Sequence, residues 1–387
     1  MNDVRDATLA NLSRRINDEV LRPLKDAFVA KDEVIDLMGV CLVGGENLFI
    51  LGPPGTAKSA LVQGLSRRLD GRVFDYLLTR FTEPNELFGP FDIRKLREGE
   101  LVTNTEGMLP EASLVFLDEL LNANSAILNS LLLVLNERVF RRGRETRRLP
   151  TLMVVGASNR LPEDEALRAL FDRFLLRVRC DNVGQEQLNE VLTAGWKLDI
   201  ERQHQIPTMS VDDVLQMQSL LPLVDFSQVR AVYLELVHRL RHAGISISDR
   251  RAVKLQRLQA ASSLLCGRFV VSPTDLWILR YIWDSEEQQE VIATIVQDAV
   301  NRHLDDDIVR HPRARGNEVP NAEELARDLE RLDARFNGGD LSQTIRIYLR
   351  DQLGVLSGRV PWVADSQQRS FLEEKLERLW ERIGRPE

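Results

Sequence analysis

Short apolar runs that end at turn residues alternate with amphipathic stretches along the first half of the chain. Residues 47–51 form one such run, which ends at Gly52 and has the length of a buried parallel strand. Helices are expected after it, from Lys58 to Leu69 and again at 123–137. The remaining strand candidates are residues 73–78, 113–117, 151–157 and 174–178. This alternation predicts an α/β domain with a mainly parallel sheet.

Apolar residues three or four positions apart predict helices on both sides of this α/β region. The spacing begins before the first strand, within residues 3–43. Strand signals fade from about residue 185. The helices predicted after that point are residues 185–192, 211–220, 226–241, 249–266, 273–282, 286–303, 322–336, 341–353 and 367–383.

The length of 387 residues favours two or three domains, because single cores rarely grow beyond ~250–300 residues. Residues 305–320 contain two prolines, a glycine and mixed charge, which are typical of a linker. We therefore expect an α/β core with N-terminal helices at 1–185 and a helical domain at 186–304. The linker then leads to a helical C-terminal region at 321–387.

Charge and composition disfavour several classes of protein. The 51 basic and 59 acidic residues give a net charge of -8, without the basic footprint of a general nucleic-acid binder. No apolar run reaches the ~20 residues of a membrane span, and the polar N-terminus has no signal-peptide core. A cytoplasmic protein without a membrane span is therefore expected. The cysteines, Cys41, Cys180 and Cys266, lack metal-ligand spacing, so no chemistry is assigned to them.

A glycine-rich segment, GPPGTAKS at residues 52–59, lies between the first predicted strand and the following helix. Backbone N–H groups of such a loop and of the helix N-terminus surround phosphate oxygens. Lys58 is expected to reach the β- and γ-phosphates of ATP, and Ser59 to hold Mg²⁺. The generic pattern has glycine before the lysine, whereas this chain has Ala57. The expected nucleotide contacts are Gly52, Pro53, Pro54, Gly55, Thr56, Ala57, Lys58, Ser59 and Ala60.

An acidic pair, Asp118 and Glu119, follows the apolar run at 114–117. Asp118 is suited to the Mg²⁺ shell, directly or through water, and to nucleotide binding. Glu119 is suited to polarising the water that attacks the γ-phosphate. Apolar strands that end in Asp-Glu are common, so the position relative to Lys58 carries this interpretation.

Two polar residues near strand ends complete the predicted catalytic set. Asn159 follows the apolar strand at 151–157 and could orient the attacking water, although asparagine is also a common turn residue. Arg173 precedes the last strand and could act on the γ-phosphate bound by a neighbouring subunit, with Arg168 as the alternative. Surface ion pairing is the other interpretation of Arg173.

Two basic segments have open interpretations. Ser248 or Asp249 is a plausible cap for a helix in the second domain, where Arg250, preferred over Arg251, could contact the γ-phosphate. An exposed helix arginine is the alternative. The segment RRGRETRR at 141–148 is expected in a turn. It is interpreted as a solvated turn, a pore or subunit-interface contact, or a nucleic-acid contact.

The motifs GPPGTAKS, LVFLDEL, GASNR, ALFDRF and ISDRR resemble, in this order, those of the MoxR family of AAA+ ATPases. ISDRR is most similar to the RavA branch of that family. The resemblance spans about residues 28–303, and alanine before the P-loop lysine is common in the family. It implies a P-loop AAA+ α/β core with a parallel sheet flanked by helices, an all-α lid domain and a small helical C-terminal tail. It also implies adenine contacts from Val29, Ala30 and Lys31.

The same resemblance implies ATP and Mg²⁺ as cofactors and a homo-oligomeric ring, expected to be a hexamer. It implies a chaperone-like role on protein clients, frequently proteins with a von Willebrand factor A domain. The region after residue 305 departs from the RavA branch, because about 80 residues are too few for its β-containing insertion. A nucleic-acid motor or loader and a nucleotide-gated scaffold are the alternatives. Acidic charge disfavours the motor, and Asp118, Glu119 and Asn159 disfavour the scaffold.

Overall fold

The computed structural model describes residues 2–142, 145–201, 208–303, 310–315, 322–337, 349, 353, 356–357, 360 and 366–383. The chain forms two compact units, Met1–Ala314 and Arg315–Glu387. The boundary between them falls within the segment predicted to be a linker. Among the described residues, no helix combines the length and apolar character that crossing a bilayer requires.

A parallel sheet forms the centre of the first unit. The strands of the described residues are β1 (Leu48–Leu51), β2 (Leu69–Asp70), β3 (Val73–Leu77), β4 (Leu114–Asp118), β5 (Val139–Arg142), β6 (Glu145–Arg148), β7 (Met153–Ser158), β8 (Leu176–Arg179) and β9 (Met209–Ser210). Five of them form the sheet, in the order β3-β4-β7-β1-β8. Each neighbouring pair is parallel, which confirms the α/β prediction.

Helices cover both faces of this sheet and continue beyond it. Those of the first unit are α1 (Asn2–Arg15), a π-helix (Ile16–Leu21), α2 (Arg22–Ala27), α3 (Asp32–Gly44), α4 (Lys58–Arg68), α5 (Pro84–Phe88), α6 (Ile93–Arg97), α7 (Ser125–Glu137), α8 (Glu165–Phe171), α9 (Leu188–Glu201), α10 (Val211–Ser219), α11 (Arg230–His242), α12 (Asp249–Leu265) and α13 (Glu287–Asn301). Short 3-10 helices lie at Leu109–Glu111, Leu120–Asn122, Gln185–Gln187, Leu221–Leu223, Pro273–Tyr281 and Pro312–Arg315.

The strand register brings the strand ends to common edges of the sheet. Leu77 pairs with Asp118, while Leu51 pairs with Ser158 and with Arg179. We call this end the carboxyl edge and the opposite end, where the strands begin, the amino edge. Every residue of β1 and β7 is buried, as expected for central strands of a parallel sheet covered by helices.

The helical region after α9 packs beside the sheet. Helix α12 lies against α3, and the 3-10 helix Pro273–Tyr281 lies against α13 and β8. The helical segment predicted at 273–282 is a 3-10 helix, Pro273–Tyr281, rather than an α-helix. All nine residues of this segment are buried, so its apolar side chains pack on every side and their spacing does not distinguish the two kinds of helix.

The described residues of the basic segment at 141–148 lie in strands β5 and β6, which pair antiparallel, so they are extended and not in the predicted turn; residues 143 and 144 lie outside the described residues. These strands are fixed by the preceding part of the chain. Arg142 donates to the carbonyl of Gly89 at 2.8 Å and lies over the ring of Phe91. Arg147 donates to the hydroxyl of Thr105 at 2.9 Å. These contacts favour an extended hairpin over a solvated turn.

The second unit contains α14 (Ala322–Asn337) and α15 (Ser366–Ile383) and has a hydrophobic core of its own. Leu325, Leu329 and Leu332 lie on one face of α14, and Leu372, Leu379 and Trp380 of α15 belong to the same cluster. The helix predicted at 341–353 lies outside the described residues except at positions 349 and 353.

Candidate nucleotide-binding site

The loop after β1 begins with a close backbone contact. The N–H of Gly52 donates to the carbonyl of Ser158 at 3.0 Å. A β-carbon at Gly52 would lie 2.2 Å from the carbonyl oxygen of Cys180, so a side chain would require the loop to move. The thiol of Cys180 in turn donates to the carbonyl of Thr56 at 3.2 Å. β1, β7 and the segment after β8 thus fix both ends of the loop.

Helix α4 begins at Lys58, directly after the loop. Ala57 precedes it with φ 67° and ψ 19°, a left-handed conformation that favours glycine. The Lys58 side chain is buried, and its ammonium donates to the carbonyls of Gly52 at 2.9 Å and Pro53 at 2.8 Å. The Lys58 ammonium is therefore held beside the loop backbone at the N-terminus of α4. A positive charge next to a helix N-terminus is suited to binding phosphate.

The acidic pair lies two strands away on the same carboxyl edge. Asp118 ends β4, and its carboxylate accepts a hydrogen bond from the backbone N–H of Glu119 at 3.0 Å. Glu119 has φ 50° and ψ 40°, another left-handed residue, which turns the chain sharply after the strand. Burial and the Asp118 charge raise the pKa of Glu119, while Lys58 and Arg160 oppose that rise. Lys58 and the acidic pair therefore share one electrostatic environment.

Asn159 directly follows β7, the strand that lies between β1 and β4. Its side chain is exposed at the carboxyl edge, between the loop at 52–59 and the acidic pair. Arg160 comes next and donates to the amide oxygen of Asn122 at 3.3 Å. Asn159 was predicted from its position after an apolar strand, whereas Arg160 carries no pattern of its own and was not predicted.

A cavity of about 540 Å³ adjoins the glycine-rich loop, within the usual range of small-molecule pockets. Val29 lines it, in the region where the family resemblance implies adenine contacts, together with Phe28 and Lys31. The ammonium of Lys31 donates to the carbonyl of Asp181 beside the cavity. Much of the apolar lining comes from α9, through Val191, Ala194 and Leu198. The α9 contribution was missed because only its first residues were predicted to be helical.

Arg173 lies at the amino edge, away from this cavity. Its carbonyl accepts a hydrogen bond from the side-chain amide of Asn47, the residue before β1, at 3.2 Å. The guanidinium is half-buried, 3.7 Å from the Asp172 carboxylate. A strand length separates the two edges, about 15 Å for four or five residues. Arg173 and the glycine-rich loop of one chain therefore face opposite ends of the sheet.

Arg250 also lies at the amino edge of the sheet. Its guanidinium donates to the side chain of Asn136, near the end of α7 at the amino edge, at 3.1 Å. Arg251 is buried and bonds to the carboxylate of Asp284 at 3.2 Å. Neither arginine belongs to the nucleotide cavity of its own chain. The physical reason is that α12 packs on α3, which brings its N-terminus to the amino edge.

The residues at the carboxyl edge suit ATP and Mg²⁺. A buried ammonium and a helix N-terminus suit phosphate groups, and the adjoining cavity has the volume and apolar lining for a base and sugar. The Ser59 hydroxyl and the Asp118 carboxylate are the hard oxygen donors that Mg²⁺ prefers. Among the described residues, no cluster of three or more His, Cys, Asp or Glu side chains offers another metal site.

A phosphate loop after β1, an acidic pair after β4 and a polar residue on the intervening strand define a P-loop protein with the AAA+ core. Comparison with known families agrees. Residues 14–219 match the family described as the MoxR domain in the MoxR-vWA-beta-propeller ternary systems, and residues 228–296 match the AAA lid domain. The chain belongs to the MoxR family of AAA+ ATPases. Its assignment to the RavA branch stays a prediction.

Proteins similar to this chain include an archaeal protein and a bacterial chaperone. The uncharacterized protein MJ0812 of Methanocaldococcus jannaschii is 34% identical over 290 residues, 74% of this chain and 76% of its own. The chaperone MoxR1 of Mycobacterium tuberculosis is 24% identical over 201 residues, 51% of this chain and 52% of its own. The crystal structure of a proposed ATPase from Cytophaga hutchinsonii has a TM-score of 0.63 at 20% identity. It covers 76% of this chain and 97% of its own, and supports the fold.

Proposed function

We propose that this protein hydrolyses ATP at the carboxyl edge and uses the energy to remodel or activate partner proteins. The observation that carries the proposal is the shared environment of Lys58, Asp118 and Glu119 beside a nucleotide-sized cavity. In this proposal Gly52–Ala60 bind the phosphates, with Lys58 as the positive charge and Ser59 and Asp118 holding Mg²⁺. The metal supplies charge neutralisation at the transferring phosphate when it is bound.

Glu119 is the proposed general base. Its raised pKa makes its carboxylate a better proton acceptor than an ordinary glutamate, while Lys58 and Arg160 limit the rise. Asn159 is proposed to orient the attacking water, because its strand lies between the loop strand and the acidic-pair strand. The left-handed backbone of Glu119 is consistent with this role, since such strain often accompanies functional sites.

We propose further that the active form is a homo-oligomeric ring. Arg173, or the alternative Arg168, would act on nucleotide bound by the next copy. The support is the position of Arg173 at the amino edge, opposite its own nucleotide loop. Arg250 shares that edge, so we assign any contact it makes with a γ-phosphate to the neighbouring copy as well.

The proposed client is a protein with a von Willebrand factor A domain. The matched family is described by its MoxR-vWA-beta-propeller systems, and one relative is named a chaperone. A protein client agrees with the acidic net charge of -8, which disfavours nucleic acid.

Steady-state hydrolysis of ATP by the full chain, compared with Glu119→Gln, tests the catalytic proposal. Loss of a general base lowers the rate by about 10²–10⁴-fold. The variant should still bind ATP, because the glycine-rich loop and Lys58 are intact. Glu163→Gln is the matched control, since that exposed glutamate lies near the same edge and pairs with Arg160 at 3.9 Å. Equal hydrolysis by native protein and Glu119→Gln would refute the assigned base.

A further inference from the structure

A short segment after α13 is held against the first unit. We call residues 310–314 the strap, because the chain continues from it into the second unit. Its last residues begin the 3-10 helix Pro312–Arg315, and the N–H of Ala314 donates to the carbonyl of His311 at 2.9 Å. The side chains of His311 and Ala314 are buried. A helical segment this short is not stable by itself, so contacts with its neighbours fix it.

A buried carboxylate on α3 attaches the strap. Asp36 is 3% exposed, and its carboxylate accepts a hydrogen bond from the guanidinium of Arg313 at 2.7 Å. The same carboxylate pairs with Lys25 of α2. Removing a cation from a buried carboxylate is strongly destabilising. Arg313 therefore connects the strap to α3 through a contact that is costly to break.

The strap also packs on the 3-10 helix Pro273–Tyr281. The ring of His311 stacks on that of Trp277, with 4.5 Å between the ring centroids. Burial lowers the pKa of His311 to about 4, so the ring is neutral at pH 7 and its Nδ1 accepts a hydrogen bond from the N–H of Arg313. The guanidinium of Arg280 donates to the carbonyl of Arg313. This 3-10 helix and α3 thus hold the strap together.

Helix α3 begins at the nucleotide cavity. Lys31 lines that cavity and directly precedes α3. Asp36 follows after about 7.5 Å along the helix axis. Between them, the Glu33 carboxylate accepts a hydrogen bond from the hydroxyl of Tyr281 at 2.6 Å. A helix is rigid over so short a distance, so the start of α3 and the strap should respond together.

We propose that the strap is a latch that responds to nucleotide. Nucleotide in the cavity fixes Lys31 and the first turn of α3, and the fixed helix holds the strap more tightly through Asp36. Occupancy of the cavity is thereby transmitted to the chain that leads into the second unit. The latch rests on the proposed function in one respect, namely that the cavity binds ATP. It adds a route by which the nucleotide acts on the region after residue 314.

Hydrogen–deuterium exchange of the full chain, with and without ATPγS and Mg²⁺, tests the latch. The amides of Arg313 and Ala314 are hydrogen-bonded within the strap, so they exchange when it opens. Saturating ATPγS should slow their exchange by about fivefold or more, as is usual for coupling between two sites. Unchanged exchange with ATPγS bound would contradict the latch, while nucleotide binding would stand.

Arg313→Ala removes the contact with Asp36 and should speed exchange across the strap by about tenfold or more. Because coupling between two sites is reciprocal, its affinity for ATPγS should fall by the factor by which ATPγS slows exchange in the native chain. Arg313→Lys keeps a positive charge beside Asp36 and should recover part of both losses. Arg302→Ala is the matched control, since Arg302 is an exposed arginine that pairs with Asp298 and Glu235, and it should change neither quantity.

The outcomes separate the latch from the proposed function. Arg313→Ala that binds ATPγS as tightly as the native chain overturns the latch, whatever the ATPase rate. A native chain that binds no ATPγS overturns both. Matching factors in exchange and in affinity support the latch even if the bound nucleotide is not hydrolysed, and that lack of hydrolysis would refute the proposed function alone.

Discussion

Ala57 occupies a backbone conformation that costs an L-residue about 1–2 kcal/mol. It stands where the generic phosphate loop has glycine, directly before Lys58. Alanine is common at this position in the family that the sequence resembles. The left-handed conformation of Ala57 is a finding of the structure. The loop therefore contains a local strain that glycine would remove.

Ala57→Gly should stabilise the first unit by about 1 kcal/mol, because glycine adopts φ 67° without a steric penalty. Urea unfolding followed by circular dichroism measures the change. Ala60→Gly is the control in the first turn of α4, where the same substitution should destabilise by about 0.5–1 kcal/mol. Equal destabilisation by both substitutions would contradict the assigned strain.

Arg160 lowers the pKa of Glu119, against the burial that raises it. A base must be deprotonated to act, so the rate falls as pH drops through this pKa. Arg160→Ala removes the opposing charge and should raise the pKa of Glu119 further. The acid limb of the pH profile of kcat should then move to higher pH.

Arg148→Ala is the control for this profile, because Arg148 is an exposed cation of β6 that does not contribute to the Glu119 shift. It should leave the acid limb in place. A limb that moves to lower pH in Arg160→Ala, or moves equally in both variants, would rule out Glu119 as the titrating base.

At the scale of elements, one carboxylate joins β8 to the helical region. Asp284 contacts Arg177 of β8 at 2.8 Å and Arg251 of α12 at 3.2 Å. Both arginines are buried, and burial together with the Arg251 charge lowers the pKa of Arg177 to about 9. Asp284 thus compensates two positive charges at the junction between sheet and helices.

Asp284→Asn should destabilise the first unit by about 2–3 kcal/mol, because it leaves buried charge uncompensated. This loss of stability is smaller than is usual for a buried ion pair, because the Asp284 side chain is 33% exposed. Urea unfolding measures it. Glu286→Gln is the control, as it removes an exposed partner of Arg179 and should cost about 0–1 kcal/mol. Equal losses of stability in Asp284→Asn and Glu286→Gln would contradict the assignment of Asp284 as the carboxylate that compensates the two buried arginines.

The sequence predicted the five sheet strands to within two residues, because buried parallel strands appear as short apolar runs that end at turns. It missed the β5–β6 hairpin, whose exposed arginines resemble a charged turn. The helix predicted at 185–192 covers only the first part of α9. Apolar residues lie on two faces of α9, so no single apolar stripe indicates its full length. Both elements depend on contacts with distant segments, which local patterns do not contain.

The residues of the proposed nucleotide site were easier to predict than their relative positions. Lys58, Asp118, Glu119 and Asn159 lie at the ends of three neighbouring strands of the sheet, β1, β4 and β7, so the parallel topology brings them to one edge. Arg250 was predicted to contact a γ-phosphate because it opens a helix of the second domain, and that contact stays a prediction. The packing of α12 on α3 decides its position, and sequence spacing gives no measure of that packing.

At the scale of the whole molecule, the proposed catalytic residues occupy opposite edges of one sheet. The nucleotide loop and acidic pair lie at the carboxyl edge, whereas Arg173 lies at the amino edge. In the proposed mechanism, a complete site therefore needs two copies arranged head to tail. The central claim is that this protein hydrolyses ATP only when a neighbour supplies its arginine.

The most direct test is the rate of ATP hydrolysis across protein concentration for the native chain, Arg173→Ala, and an equal mixture of Arg173→Ala with Glu119→Gln. Native specific activity should rise with concentration, Arg173→Ala should lose about 10³-fold or more, and the mixture should recover activity. Arg168→Ala, on the neighbouring helix α8, distinguishes the alternative arginine. A rate that is independent of concentration and unaffected by Arg173→Ala would contradict the shared site and leave a self-contained ATPase.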